Sequence, residues 1–159
     1  MRKAIKVGLN FGLTSGVITT LGLMVGLNSS THLKLAVIAG ILTIAVADAF
    51  SDAFGIHISK EAENTSSQKE IWAATISTFL FKFIFALSFV IPVLFFSLKI
   101  AIIVGIIWGI ILITLASFLI AKETSQKPFH VISEHLLISA IVIVLANYLG
   151  SVINKVFLS

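Results

Sequence analysis

Five stretches of about twenty residues run along this chain with almost no charge inside them, and stretches of that length and polarity are the signature of membrane-spanning helices. In water they would need a polar shell. The 159 residues include only 11 Lys and Arg and 7 Asp and Glu, against 58% hydrophobic residues, and the charges punctuate the ends of the apolar runs. With a mean hydropathy of +1.11, the solvent for this chain is lipid. The sequence predicts an all-α polytopic membrane protein, a single transmembrane domain over 1–159. Its five transmembrane helices are expected near 7–27, 35–58, 71–96, 98–121 and 135–153.

Two boundaries call for comment. Phe96-Ser97-Leu98-Lys99 must hold a tight turn between the third and fourth spans, and Pro92 one turn earlier is expected to kink the third or end it early. Basic residues precede the first run as they do in a signal peptide, but about twenty apolar residues exceed the usual h-region, so a retained helix is expected.

Charge placement predicts orientation. One side of the membrane receives Arg2, Lys3, Lys6, Lys60, Lys69, Lys122 and Lys127, the other only Lys34, Lys99 and Lys155. The positive-inside rule puts the N-terminus in the cytoplasm and, with five spans, the C-terminus on the far side. These bases account for the net charge of +4 without forming a stripe interleaved with aromatics, so no nucleic-acid partner is expected. Cysteine is absent, which removes disulfide and thiolate chemistry. No nucleophile and base stand at usable spacing, so neither an enzyme nor a resident cofactor is expected.

Three residues ionised at neutral pH lie well inside the runs: Asp48 and Asp52 in the second, Lys82 in the third. A central Asp or Lys costs about 2.5 to 3.5 kcal/mol on insertion scales, so such residues face a bundle interior, pair with one another or line an ion path. Asp48 and Asp52 are one helical turn apart and share a face, where two carboxylates can share a cation. At about 1.5 Å of rise per residue, Asp52 lies roughly 9 Å and Asp48 roughly 15 Å from the cytosolic end of their helix, and Lys82 roughly 16 Å into its own. Asp48 and Lys82 are therefore expected to pair across helices. That pairing leaves Asp52 without an internal countercharge, to be answered by a proton or a metal.

Other polar residues read more plainly. His57 near the end of the second run reads as an interfacial histidine, and His32, His130 and His135 have no second ligand at helical spacing. Glu61, Glu63 and Glu70 are interleaved with Lys60 and Lys69 and read as a solvated helix extension. Trp72 reads as an interface anchor and Trp108 as a packing residue. Gly8, Gly12 and Gly16, then Gly22 and Gly26, recur every fourth residue of the first helix and permit close helix approach, within the chain or in a dimer.

The run FGLTSGVITTLGLMVGL at 11–27 resembles the first helix of the vacuolar iron transporter family, with Ser15-Gly16 where that family has Asp-Gly. The run ADAFSDAFGIHIS at 47–59 is similar to the family's Ser-Met-Ala-x-Gly-Glu-Tyr-x-Ser, aligning Ser51, Ala53, Gly55 and Ser59, with Asp52 at the Met position and Ile56 at the Glu position. Weaker echoes lie at 74–92 and at 139–150, which ends in Ala-Asn-Tyr-Leu-Gly. The resemblance implies a homodimer in the lipid bilayer that exchanges cytosolic iron or manganese for protons.

This chain departs from the family pattern by losing the helix-one acid at Ser15, by carrying Asp48 and Asp52 in place of the Met-to-Glu stripe, and by lacking the acidic cytosolic extension. Carboxylate in place of thioether makes the site harder, favouring Mn2+, Mg2+ or Fe2+ through oxygen. The expected metal ligands are then Asp52, Asp48, Ser15 and Asn10, with Thr19 near them; Asp48 and Lys82 serve as proton-coupling group or ion pair.

Two functions follow as expectations. One is a proton-coupled exporter or sequestering transporter of Fe2+ or Mn2+, in the cell membrane if the source is prokaryotic. The other is a non-transporting assembly or partner-binding membrane protein in which Lys82 replaces the cation.

Overall fold

The computed structural model describes residues 2–157, all in helices and short turns. The helices are α1 (Arg2–Thr31), α2 (Lys34–Ala62), α3 (Gln68–Ser88), α4 (Val90–Phe95), α5 (Leu98–Glu123) and α6 (Pro128–Phe157). Taking α3 and α4 as one bent rod, five rods are long and apolar enough to cross a membrane. Each runs past its apolar stretch. The reason is that the flanking polar residues continue the helix: Ser67, through its backbone N–H and its hydroxyl, donates to the Glu70 carboxylate and starts α3 before the first apolar residue.

The breaks have local causes. Pro92 carries no N–H and crowds the carbonyl one turn back, and the third rod bends at Phe89, between α3 and α4. The turn to α5 then takes only Phe96 and Ser97, both extended. The other three reversals pass through a residue of positive φ, His32, Asn64 and Ser125 respectively. After α5 the Gln126 N–H bonds Ala121 O at 3.0 Å, closing the helix end.

Helix α1 is the axis of the bundle. Half of its most apolar stretch is buried within the chain, against 11% for α6, and it touches α2, α3, α5 and α6. Glycine makes this possible. A Cβ on Gly12 would meet Thr78 O at 2.8 Å and Lys82 N at 3.0 Å, so α1 and α3 approach backbone to backbone. On the far half of α1, a Cβ on Gly22 would meet Val142 at 2.9 Å, and Gly150 of α6 abuts the Gly26 carbonyl. Both glycine faces are thus consumed inside the chain, which leaves neither for an interface between copies. The apolar core packs on the remaining sides of α1, where Leu13, Val17, Leu21 and Met24 meet Val37, Ile41, Phe89 and Ile113.

Polar ties close both ends. At the end bearing the N-terminus, Lys6 pairs with Glu123 at 2.7 Å. At the opposite end Lys34 Nζ donates to Leu94 O and Phe96 O at 3.0 and 3.1 Å, Ser29 donates to Asn147 at 2.5 Å, and Asn154 donates to Ser30 O at 2.7 Å.

Candidate functional site

Ser15, Asp48 and Lys82 lie near the middle of α1, α2 and the third rod, with Asp52 one turn from Asp48, and the packing brings the four side chains together. Lys82 Nζ lies 2.6 Å from Asp48 Oδ2 and donates to Ser15 Oγ at 2.9 Å and to Asp52 Oδ2. Ser15 passes its own proton on, donating to Asp52 Oδ2 at 2.7 Å. The Asp48 contact is an ion pair without the alignment of a hydrogen bond. Three oxygens from two helices thus surround one nitrogen from a third.

The expectation that Asp52 stands without an internal countercharge is corrected by this arrangement. A lysine stem is long enough to bridge two carboxylates one turn apart, and Asp48 and Asp52 both point at the level of α3 where Lys82 emerges. Glycine on α1 sets that level. A Cβ on Gly16 would lie 3.1 Å from Lys82 Cγ and 3.3 Å from its Cα, so the stem runs in the space a side chain would fill. With all three groups ionised, the cluster carries one net negative charge.

Burial is uneven. The Lys82 side chain is 1% exposed, while those of Asp48 and Asp52 are 27% and 21% exposed. Asp48 opens into a groove of about 700 Å³ between α1 and α2, whose other polar lining is Thr19 and Thr43. Thr19 also donates to Ser15 O at 2.9 Å, so it stands beside the cluster without joining it. One turn beyond Gly16, Thr20 is fully buried and its hydroxyl has no hydrogen-bond partner, a feature the sequence did not signal.

Asn10 is not brought to the cluster. It sits more than a turn nearer the N-terminus, and its amide reaches the Glu123 carboxylate at 3.5 Å beside Lys6. His57 is nine residues from Asp48, which at about 100° per residue puts it on the opposite face of α2. There it meets Thr75 Oγ1 at 3.0 Å and Glu61 at 3.5 Å, and lines an aromatic cavity of about 360 Å³ with Phe50, Phe54, Trp72 and Phe79. Glu63 is taken up by Lys60 at 2.7 Å. His135 Nδ1 lies 2.8 Å from Ser117 Oγ, which is also within hydrogen-bond distance of Ile113 O at 2.6 Å.

Chemically the cluster offers two carboxylates and a hydroxyl, all hard oxygen donors. Among the described residues no group of three or more Asp, Glu or His side chains converges to join them into a larger ligand set. No protein family, curated protein or solved structure matches the chain.

Proposed function

We propose that this chain is a multi-pass membrane transporter of a divalent metal ion, iron or manganese, working by proton-coupled export or sequestration. The observation that carries the reading is the gathering of Asp48, Asp52 and Ser15 oxygens around a single cationic nitrogen, midway along helices of membrane-spanning length. Carboxylates at that depth are expensive and are retained where ions pass. A donor set of carboxylate and hydroxyl oxygens favours hard divalent ions over soft ones. The net negative charge of the cluster gives an approaching cation something to neutralise. Loop bases gathered at one end of the bundle support an N-terminus in the cytoplasm.

A homodimer fits the same reading. A carboxylate in mid-membrane cannot be left facing lipid, and a second copy laid over the groove between α1 and α2 would cover Asp48 together with Thr19 and Thr43.

A second reading has its own observation. Lys82 reaches both carboxylates and Ser15, so it is able to stand permanently where a metal would, in a membrane protein that assembles with partners and transports nothing.

Flux decides between them. Mn2+ and Fe2+ uptake into proteoliposomes under an imposed pH gradient is measured for the native chain and for Asp52→Asn, with monodispersity checked for both. Flux that the variant alone loses supports transport through Asp52. An absence of native flux with every metal tried moves the assignment to the second reading.

A further inference from the structure

We infer that the Lys82 ammonium is a built-in occupant of the cation position, an autoinhibitory side chain that a substrate cation must displace before it can sit between Asp48 and Asp52. The inference rests on the transport reading and adds how the site is held closed. Nζ lies within reach of one oxygen of each member of the cluster: Asp48 Oδ2 at 2.6 Å, Ser15 Oγ at 2.9 Å, and Asp52 Oδ2. A cation bound by these residues would need the same point.

The stoichiometry of charge argues against a mere packing lock. One carboxylate suffices to neutralise a buried lysine, and a second in the same cluster costs desolvation and leaves an unbalanced charge in an apolar surrounding. Two carboxylates around one ammonium serve a different purpose. With Lys82 in place the cluster keeps one negative charge to draw a cation in, and with Lys82 withdrawn it presents two, the complement of a divalent ion.

The geometry of access agrees. Lys82 is held from behind, its stem packed between α1 and α3 beneath Gly16, whereas Asp48 and Asp52 are the partly exposed members and Asp48 lines the groove between α1 and α2. A cation entering from that groove meets the Asp48 carboxylate first and the buried ammonium after it. Lysine also suits the task as arginine would not: a point charge on a flexible four-carbon stem can leave without dismantling a planar bidentate fork.

The test is equilibrium Mn2+ binding at fixed pH to the purified full chain in nanodiscs, read as loss of the free-ion electron paramagnetic resonance signal, alongside Mn2+ flux in proteoliposomes. Lys82→Met keeps the length of the stem and removes the charge. It is expected to bind Mn2+ on the order of tenfold tighter than the native chain or more, a gain that adding Asp52→Asn abolishes. Should Lys82→Met fail to fold, Lys82→Met with Asp48→Asn restores the original net charge; with the ammonium gone but only Asp52 left, it is expected to bind Mn2+ tighter than the native chain by a smaller factor, a gain that adding Asp52→Asn abolishes.

Native flux combined with no tighter binding in whichever variant folds overturns the autoinhibitory role and leaves transport standing. Tighter binding without native flux supports the occupant role and moves the chain to the non-transporting reading. No binding and no flux in any form overturns both.

Discussion

Gly16 and Lys82 face each other across the contact between α1 and α3 so closely that a Cβ on Gly16 would lie 3.1 Å from Lys82 Cγ and 3.2 Å from its carbonyl oxygen. The same helix pair is tighter still one turn earlier, where a Cβ on Gly12 would meet Thr78 O at 2.8 Å. Because that obstacle is backbone, it can yield only by moving the helix. Gly12→Ala is therefore expected to lose about 1–3 kcal/mol, with Gly16→Ala losing less because its nearest contacts, with Lys82, begin at 3.1 Å and need smaller shifts. Gly55→Ala, where nothing lies within 4 Å, should be neutral or gain up to about 1 kcal/mol from helix propensity. Thermal unfolding of the three variants in one detergent gives the order, and a Gly12 variant as stable as the Gly55 variant would refute the close approach.

Removing one partner from the ion cluster should be worse than removing two. Lys82→Met leaves two carboxylates without a countercharge, at an expected cost of about 3–5 kcal/mol. Lys82→Met combined with Asp48→Asn should recover part of that loss. A double-mutant cycle on unfolding free energies measures the recovery, and strict additivity would contradict the contact between Lys82 and Asp48.

Thr20 is a buried hydroxyl with no acceptor or donor to meet it. Thr20→Val keeps the shape and removes the unsatisfied group, so the variant should be more stable by about 1–3 kcal/mol. A drop in melting temperature would mean that the hydroxyl has a partner in the folded protein.

Lys34 ties down the turn between α4 and α5 by donating to the Leu94 and Phe96 carbonyls, which the end of α4 leaves without helical partners. Replacing its ammonium in Lys34→Met should cost about 0.5–1.5 kcal/mol, since both bonds are exposed. Proteolysis or cysteine labelling at Ser97 should become faster in the variant. Unchanged labelling would show that the turn is held without Lys34.

Asn10 lies with Lys6 and Glu123 at the end of the bundle bearing the N-terminus. If metal flux is present, Asn10→Ala should leave it near native, since the Asn10 amide bonds Glu123 rather than a residue of the cluster. A loss as deep as that of Asp52→Asn would bring Asn10 back into the ligand set.

Hydropathy and helical periodicity act along the chain, so the sequence by itself determined the five apolar rods, the shared face of Asp48 and Asp52, and the glycine rows of α1. It also marked Pro92 as the site of a bend and Lys82 as level with Asp48. What it could not determine is rotation about each helix axis, because that is set by how side chains of different rods interlock. Tertiary structure alone decided that Lys82 bridges both aspartates, that Ser15 joins them while Asn10 turns to Glu123, and that α1 uses one glycine row on α3 and the other on α6. The Lys34 tie across the turn between α4 and α5 and the orphaned Thr20 hydroxyl belong with these, since each depends on a neighbour distant in sequence. Spanning segments are a property of local composition, whereas a cluster drawn from three helices exists only once packing has fixed which faces meet.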